Sequence, residues 1–173
     1  MFKSIALLIA TVIITSVSIY TLSVPAINGG SINFADYQNK KIFIVNTATG
    51  SNGASQIAEL QQLYLQHQDS LVVIAFPSNS FGHEPANNAS IESIMQNTYG
   101  ATFPIAAKSV VKGDTANSVY KWLADKLQNG RVNGKARTDF YKFLIDKQGL
   151  VVGVFDSSVS PLSNKVQQAI QNN

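Results

Sequence analysis

One stretch in the first half of the chain narrows the fold more than any other. Lys41-Ile42-Phe43-Ile44-Val45 is β-branched and aromatic, as a buried strand requires. Ala54 to Gln68 then places Ile57, Leu60, Leu63 and Tyr64 on one helical stripe. Leu71-Val72-Val73-Ile74-Ala75-Phe76 is a second apolar strand, ended by Pro77. Two such strands around one helix predict a right-handed βαβ unit with parallel strands.

The remaining segments extend that unit. Asn28-Gly29-Gly30 between short apolar stretches predicts a hairpin turn. Pro77 to Asn88 reads as a loop, followed by a short helix from about Ser90 to Thr98, and Ile105-Ala106 extends briefly. Val119, Trp122, Leu123 and Leu127 are expected on one face of a further helix, with Gly130 just beyond. Phe143-Leu144-Ile145 and Val151 to Phe155 make a hairpin across Lys147-Gln148-Gly149, and Pro161 opens a last helix with Leu162, Val166 and Ile170. The order β-α-β, helix, β-β-α is the plan of a thioredoxin-like α/β domain. That is a three-layer sandwich with a central mixed sheet flanked by helices. Element order alone leaves other α/β folds open.

Composition removes several functions. The 173 residues fit one domain. Only 13% are charged and the net charge is +3, or +2 without Lys3, which does not call for nucleic acid as a partner. Cysteine is absent, which excludes disulfides, thiolate metal sites and attack by a thiol of the protein's own. His67 and His83 are the only histidines, so a multi-histidine metal site is not expected, and no residue pattern calls for a cofactor.

The N-terminus is read separately. Ser4 to Val24 carries no charge, Lys3 is the only positive residue before it, and Ile5 to Ile14 is densely apolar. This is the layout of a secretory signal or a short membrane anchor over residues 1–20, ahead of a domain over 21–173. The expected location is outside the cytoplasm: periplasmic, extracellular or membrane-anchored.

Five blocks, in order, carry a resemblance. They are Lys41 to Ala48 with its Val-Asn-x-Ala ending; Phe76-Pro77-Ser78-Asn79-Ser80-Phe81-Gly82-His83-Glu84-Pro85; Tyr99 to Pro104; Tyr120-Lys121-Trp122-Leu123; and Lys142-Phe143-Leu144-Ile145-Asp146 with Gly149. The chain resembles glutathione peroxidases from about Leu22 to Pro161. That resemblance implies a Cys or selenocysteine nucleophile assisted by Gln, Trp and Asn. On the spacing of the blocks those positions fall on Ser51, Ser80, Thr138 and Asp139, all four changed. The region around Met95 and Gln96, where some thioredoxin-dependent members carry a resolving Cys, has none. Trp122 belongs to the helix block and is expected in the core.

The substitutions bear on chemistry. Hydroperoxide reduction in this family needs a soft thiolate or selenolate that is oxidised and then recycled by an external thiol. Ser51 has no reversible oxidation step of that kind. Thr138 lacks an indole N–H, Ser80 lacks the reach of an amide, and Asp139 brings a carboxylate to a site that should host an anion. The resulting expectation is a family member without peroxidase activity, binding an unknown protein or small molecule. The alternative is thiol-dependent hydroperoxide reduction at an unconventional site. A third reading makes Ser51 a hydrolytic nucleophile with His83 and Asp139, although Thr49-Gly50-Ser51-Asn52-Gly53 is no nucleophile elbow. Gly50, Asn52 and Gly53 suit either an anion-binding nest or a close-packed turn. Asn88-Ala89-Ser90 fits a glycosylation sequon, or Ser90 caps the helix after it.

Overall fold

A computed structural model describes residues 16–172. A short hairpin pairs β1 (Ser23–Pro25) with β2 (Ser31–Asn33), turning through Gly29 at φ +89°. β3 (Lys41–Thr47), α1 (Gln56–His67) and β4 (Leu71–Pro77) form the expected βαβ unit, with β3 and β4 parallel from Lys41↔Leu71 to Thr47↔Pro77. β5 (Lys142–Ile145) and β6 (Val151–Phe155) follow as an antiparallel pair, and β5 lies antiparallel to β3. The mixed sheet therefore runs β4-β3-β5-β6.

Every residue of β3 and β4 is buried, because both faces of the sheet are covered. Side-chain alternation sorts them. Ile42, Ile44, Val72, Ile74 and Phe76 pack with Val24, Phe34 and the helix α3 (Ser118–Ala124). Phe43, Val45, Leu71, Val73 and Ala75 pack with α1, with α2 (Asn88–Ser93) and with α5 (Asn164–Asn172). These are the three layers of a thioredoxin-like sandwich.

Four expectations need adjustment. The helix carrying Val119, Trp122 and Leu123 breaks at Asp125, whose φ of −120° and ψ of 107° leave the helical region while its carboxylate caps a separate turn, α4 (Lys126–Asn129). Leu127 consequently leaves the shared face and is 65% exposed. Pro161 precedes the last helix rather than opening it, since α5 begins at Asn164. The cap of α2 is the Asn87 side chain, which accepts from Ser90 N at 2.9 Å, so Ser90 lies inside the helix and Asn88 instead accepts from Lys108 N. Finally, packing reaches back beyond residue 21. Ile19 is fully buried, Val17 N donates to Gln128 O at 2.8 Å, and the Trp122 indole donates to Val17 O at 2.6 Å. Residues 1–15, with Ile5 to Ile14, lie outside the described residues.

Candidate functional site

Strands β3 and β4 run in parallel and stop together at Thr47 and Pro77, so the loops that follow share one end of the sheet. Ser78 N donates to Thr47 O at 3.0 Å and holds the two exits side by side. After β3 the chain does not enter α1 directly. Ser51 N bonds Ala48 O, Ala54 N bonds Ser51 O and Gln56 N bonds Gly53 O, a staircase of tight turns. Ser51 sits half-buried on this staircase, and its Oγ accepts from Gly53 N at 3.3 Å.

The loop after β4 brings the other groups. Ser80 is tied within it: Ser78 Oγ donates to Ser80 Oγ at 2.9 Å, and Ser80 Oγ accepts from Val111 N at 3.1 Å. Glu84 is fully buried and accepts from both Thr49 N at 2.6 Å and Thr49 Oγ1 at 2.8 Å, which fastens this loop to the Ser51 turn. His83 reaches two ways. Its carbonyl accepts from Gly50 N at 3.1 Å, and its Nδ1 lies 2.6 Å from Asp139 Oδ2. Asp139 is 3% exposed and His83 55% exposed, so the imidazole covers a buried carboxylate. The remaining Asp139 oxygen, Oδ1, is buried without a partner among the described residues.

Thr138 and Asp139 are held from behind. Asn46 Nδ2 donates to Thr138 O at 2.9 Å, and Phe140 N donates to Asn46 O at 2.7 Å. Phe140 has a φ of +59°, a left-handed conformation that a bulky residue adopts only under restraint. The buried Lys142 supplies part of that restraint, donating from Nζ to Phe140 O at 2.8 Å and to Asp156 O at 3.3 Å. Burial pushes the Lys142 ammonium down to about 8, against the nearby Asp156 and Glu59 carboxylates, which favour the charged form.

His83 thus joins the Ser51 turn to Asp139 through its backbone on one side and its ring on the other. Ser80 lies in the same loop, while Thr138 presents its carbonyl to Asn46. No hydrogen bond joins Ser51 to His83 among the described residues. Gly50 and Gly53 answer to close packing: a Cβ would stand 2.8 Å from His83 O and 2.9 Å from Phe140 Cδ2 respectively, and neither residue has a positive φ. They do not make the alternating-handed nest that cradles an anion. Trp122 is 1% exposed in the core, as expected, and Met95 is buried in the helical turn Ile94–Thr98 that follows α2. His67 ends α1 with Nε2 2.9 Å from Gln167 Oε1. Among the described residues no three His, Asp or Glu side chains cluster closely enough to hold a metal ion.

Two residues of this end were not singled out from the sequence, Glu84 and Lys142. Each had a signal. A Lys heading the apolar run Lys142-Phe143-Leu144-Ile145 and a Glu before Pro85 are charges in places where burial demands partners.

Comparison with known proteins sets these residues in a family. The family model for glutathione peroxidase matches residues 19–124. A glutathione peroxidase-like peroxiredoxin of Chlamydomonas reinhardtii is 38% identical over 146 residues, covering 83% of this chain and 90% of that protein. The glutathione peroxidase homolog BsaA of Halalkalibacterium halodurans is 37% identical over 150 residues, covering 86% and 95%. Among solved structures, apo Trgpx superposes with a TM-score of 0.68 at 27% identity, covering 91% of this chain and 97% of that one. A DsbF homologue of Corynebacterium diphtheriae, with a TM-score of 0.64, 17% identity and coverage of 91% and 86%, shares the fold. With the sheet order, the five sequence blocks and these matches in agreement, the chain belongs to the glutathione peroxidase family.

Proposed function

We propose that this protein is a cell-envelope member of the family that has lost thiol peroxidase chemistry and serves as a binding or scaffolding module. The observation that carries this reading is the absence of cysteine from all 173 residues, with Ser51 at the position of the family's nucleophile. A serine hydroxyl stays protonated near neutrality, and its oxygen has no counterpart of the sulfenic acid that an external thiol reduces. The surroundings support the same reading. Asp139 stands at the family's Asn position as a buried carboxylate held by His83, and Glu84 is buried behind Thr49. Two carboxylates at this end oppose the accumulation of negative charge that a thiolate cycle exploits.

Export or tethering rests on the uncharged run Ser4 to Val24 behind Lys3. Among the described residues no helix is long and apolar enough to cross a membrane. Fractionation of cells carrying the full chain checks this part, and recovery in the cytosol would overturn it.

The activity test assays the purified protein with hydrogen peroxide and an organic hydroperoxide, using glutathione and thioredoxin as reductants. The fourfold variant Ser51→Cys, Ser80→Gln, Thr138→Trp, Asp139→Asn runs beside it. Wild type is expected to show no thiol-dependent turnover while the variant gains it. Turnover by wild type would sink the proposal in favour of hydroperoxide reduction at an unconventional site. Ser51→Ala would then show whether the hydroxyl takes part.

A further inference from the structure

A cleft that does not involve Ser51, Ser80, Thr138 or Asp139 lies along α3. Its volume is about 460 Å³. Its apolar wall is built by Val111, Ala116, Tyr120, Ala124 and Ala136. Small side chains at three of these five positions leave room that larger ones would fill. Ala116 and Ala136 are buried at 6% and 7% exposure, so the wall belongs to the packed domain and is not a surface ripple.

The rim is basic. Lys112, Lys121 and Lys135 line the cleft and are exposed, and none of them makes an ion pair among the described residues. Lys112 instead rests its ammonium 4.7 Å from the Phe81 ring centroid, which leaves its charge uncompensated. Two carboxylates also reach the rim, but they differ in availability. Asp125 is occupied in capping α4, accepting from Leu127 N at 2.9 Å and from Gln128 Nε2 at 3.1 Å. Asp114 is exposed on the loop beside Gly113. Three lysines against two aspartates, one of them engaged, favour an anion at the mouth.

The Tyr120 hydroxyl is buried and has no hydrogen-bond partner among the described residues. Burial holds this phenol well above its usual range, so it remains a donor at any ordinary pH. That hydroxyl is closed off from the cleft, so the polar groups offered to a bound molecule are those of the rim.

We propose that the α3 cleft binds a small organic anion, with its apolar body against the alanine and tyrosine wall and its charged group among Lys112, Lys121 and Lys135. Walls that are mostly apolar with a few convergent polar groups are what small-molecule sites share. The site stands apart from the peroxidase question: it lies along α3 and holds whether or not hydroperoxides are turned over.

The test uses 1-anilinonaphthalene-8-sulfonate as an anionic probe and its uncharged relative N-phenyl-1-naphthylamine, on the folded protein. Circular dichroism verifies that each variant retains its fold. Wild type is expected to bind the sulfonate saturably, one per chain, and to shift the NMR methyl signals of Ala116, Ala124 and Ala136. Lys121→Glu reverses an exposed charge at the rim and is expected to weaken the sulfonate about fivefold while sparing the neutral dye. Ala124→Phe fills the cleft from its half-buried edge and is expected to abolish binding of both. Absence of saturable binding to wild type would overturn the proposal. So would binding indifferent to Lys121→Glu, or methyl shifts confined to other parts of the domain. If Ala124→Phe fails to fold, the charge reversal and the methyl shifts decide alone.

Discussion

Lys41–Val45 and Ala48–Gly53 are neighbouring stretches of one chain, yet they are held in opposite ways. The first is laddered on both sides, to β4 and to β5, and buried on both faces. The second turns back on itself and is tied to the rest by a few polar contacts, the paired bonds of Thr49 to Glu84 and that of Gly50 to the His83 carbonyl. Many small apolar contacts share the load in the strand, and any one can be traded at moderate cost. At the turn, each tie has one partner and a fixed geometry. Side chains on the turn that carry none of these ties, such as Ser51, are consequently free to vary without loss of the fold.

That contrast yields three measurements. The largest effect belongs to the framework. Phe143 is fully buried, edge-on to Tyr120 at 6.1 Å and tilted against Tyr141 at 5.6 Å. Phe143→Ala is expected to cost about 3–5 kcal/mol in denaturant unfolding. A loss under about 1 kcal/mol would mean that the sheet is no more robustly held than the turn.

An intermediate effect belongs to Lys142, which links framework to site. Its folded value of about 8 lies below the ordinary 10.5, so between those limits the unfolded chain binds a proton that the folded chain lacks. Stability from this group therefore rises with pH across that window. Wild type is expected to gain about 1 kcal/mol per pH unit relative to Lys142→Met between about pH 8 and 9.5. Above that range the buried Tyr120 phenol works in the opposite direction, since burial delays its ionisation in the folded state. Parallel stability curves for the two proteins would remove Lys142 from the account of how Phe140 is held.

The smallest effect is expected at Ser51. Its side chain makes one long hydrogen bond, 3.3 Å to Gly53 N, within its own turn. Ser51→Ala should change unfolding free energy by less than about 0.5 kcal/mol. A loss of several times that would show that the hydroxyl secures the turn, and the two regions would then differ less than their contacts imply.

Much of the framework was legible because period and composition act locally. Ile42 to Val45 and Leu71 to Phe76 can be satisfied only inside a covered sheet, and the helix between them dictates that they run in parallel. Leu127 was misplaced because helical periodicity continues smoothly through Asp125 in the sequence. The competing tendency of an aspartate to cap a new turn is decided by the chain's local geometry. At the site, spacing within the five blocks singles out positions by resemblance alone and says nothing of their partners. That His83 turns its ring to Asp139, 56 residues away, and that Glu84 holds Thr49, depend on loops meeting at one end of the sheet. In the sequence Asn46 is part of a strand motif. Its second role, bonding Thr138 O through its side chain while its carbonyl receives Phe140 N, exists only once β5 lies beside β3.

The bond from the Trp122 indole to Val17 O has a practical consequence. This is the chain's single tryptophan, it is 1% exposed, and its one polar atom is capped by the segment that leads into the domain. Lifting Val17–Tyr20 away would strip that cap and open the indole to water, moving its emission to longer wavelength. Fluorescence from one residue therefore gauges whether the first turn of the domain is seated, with no label attached.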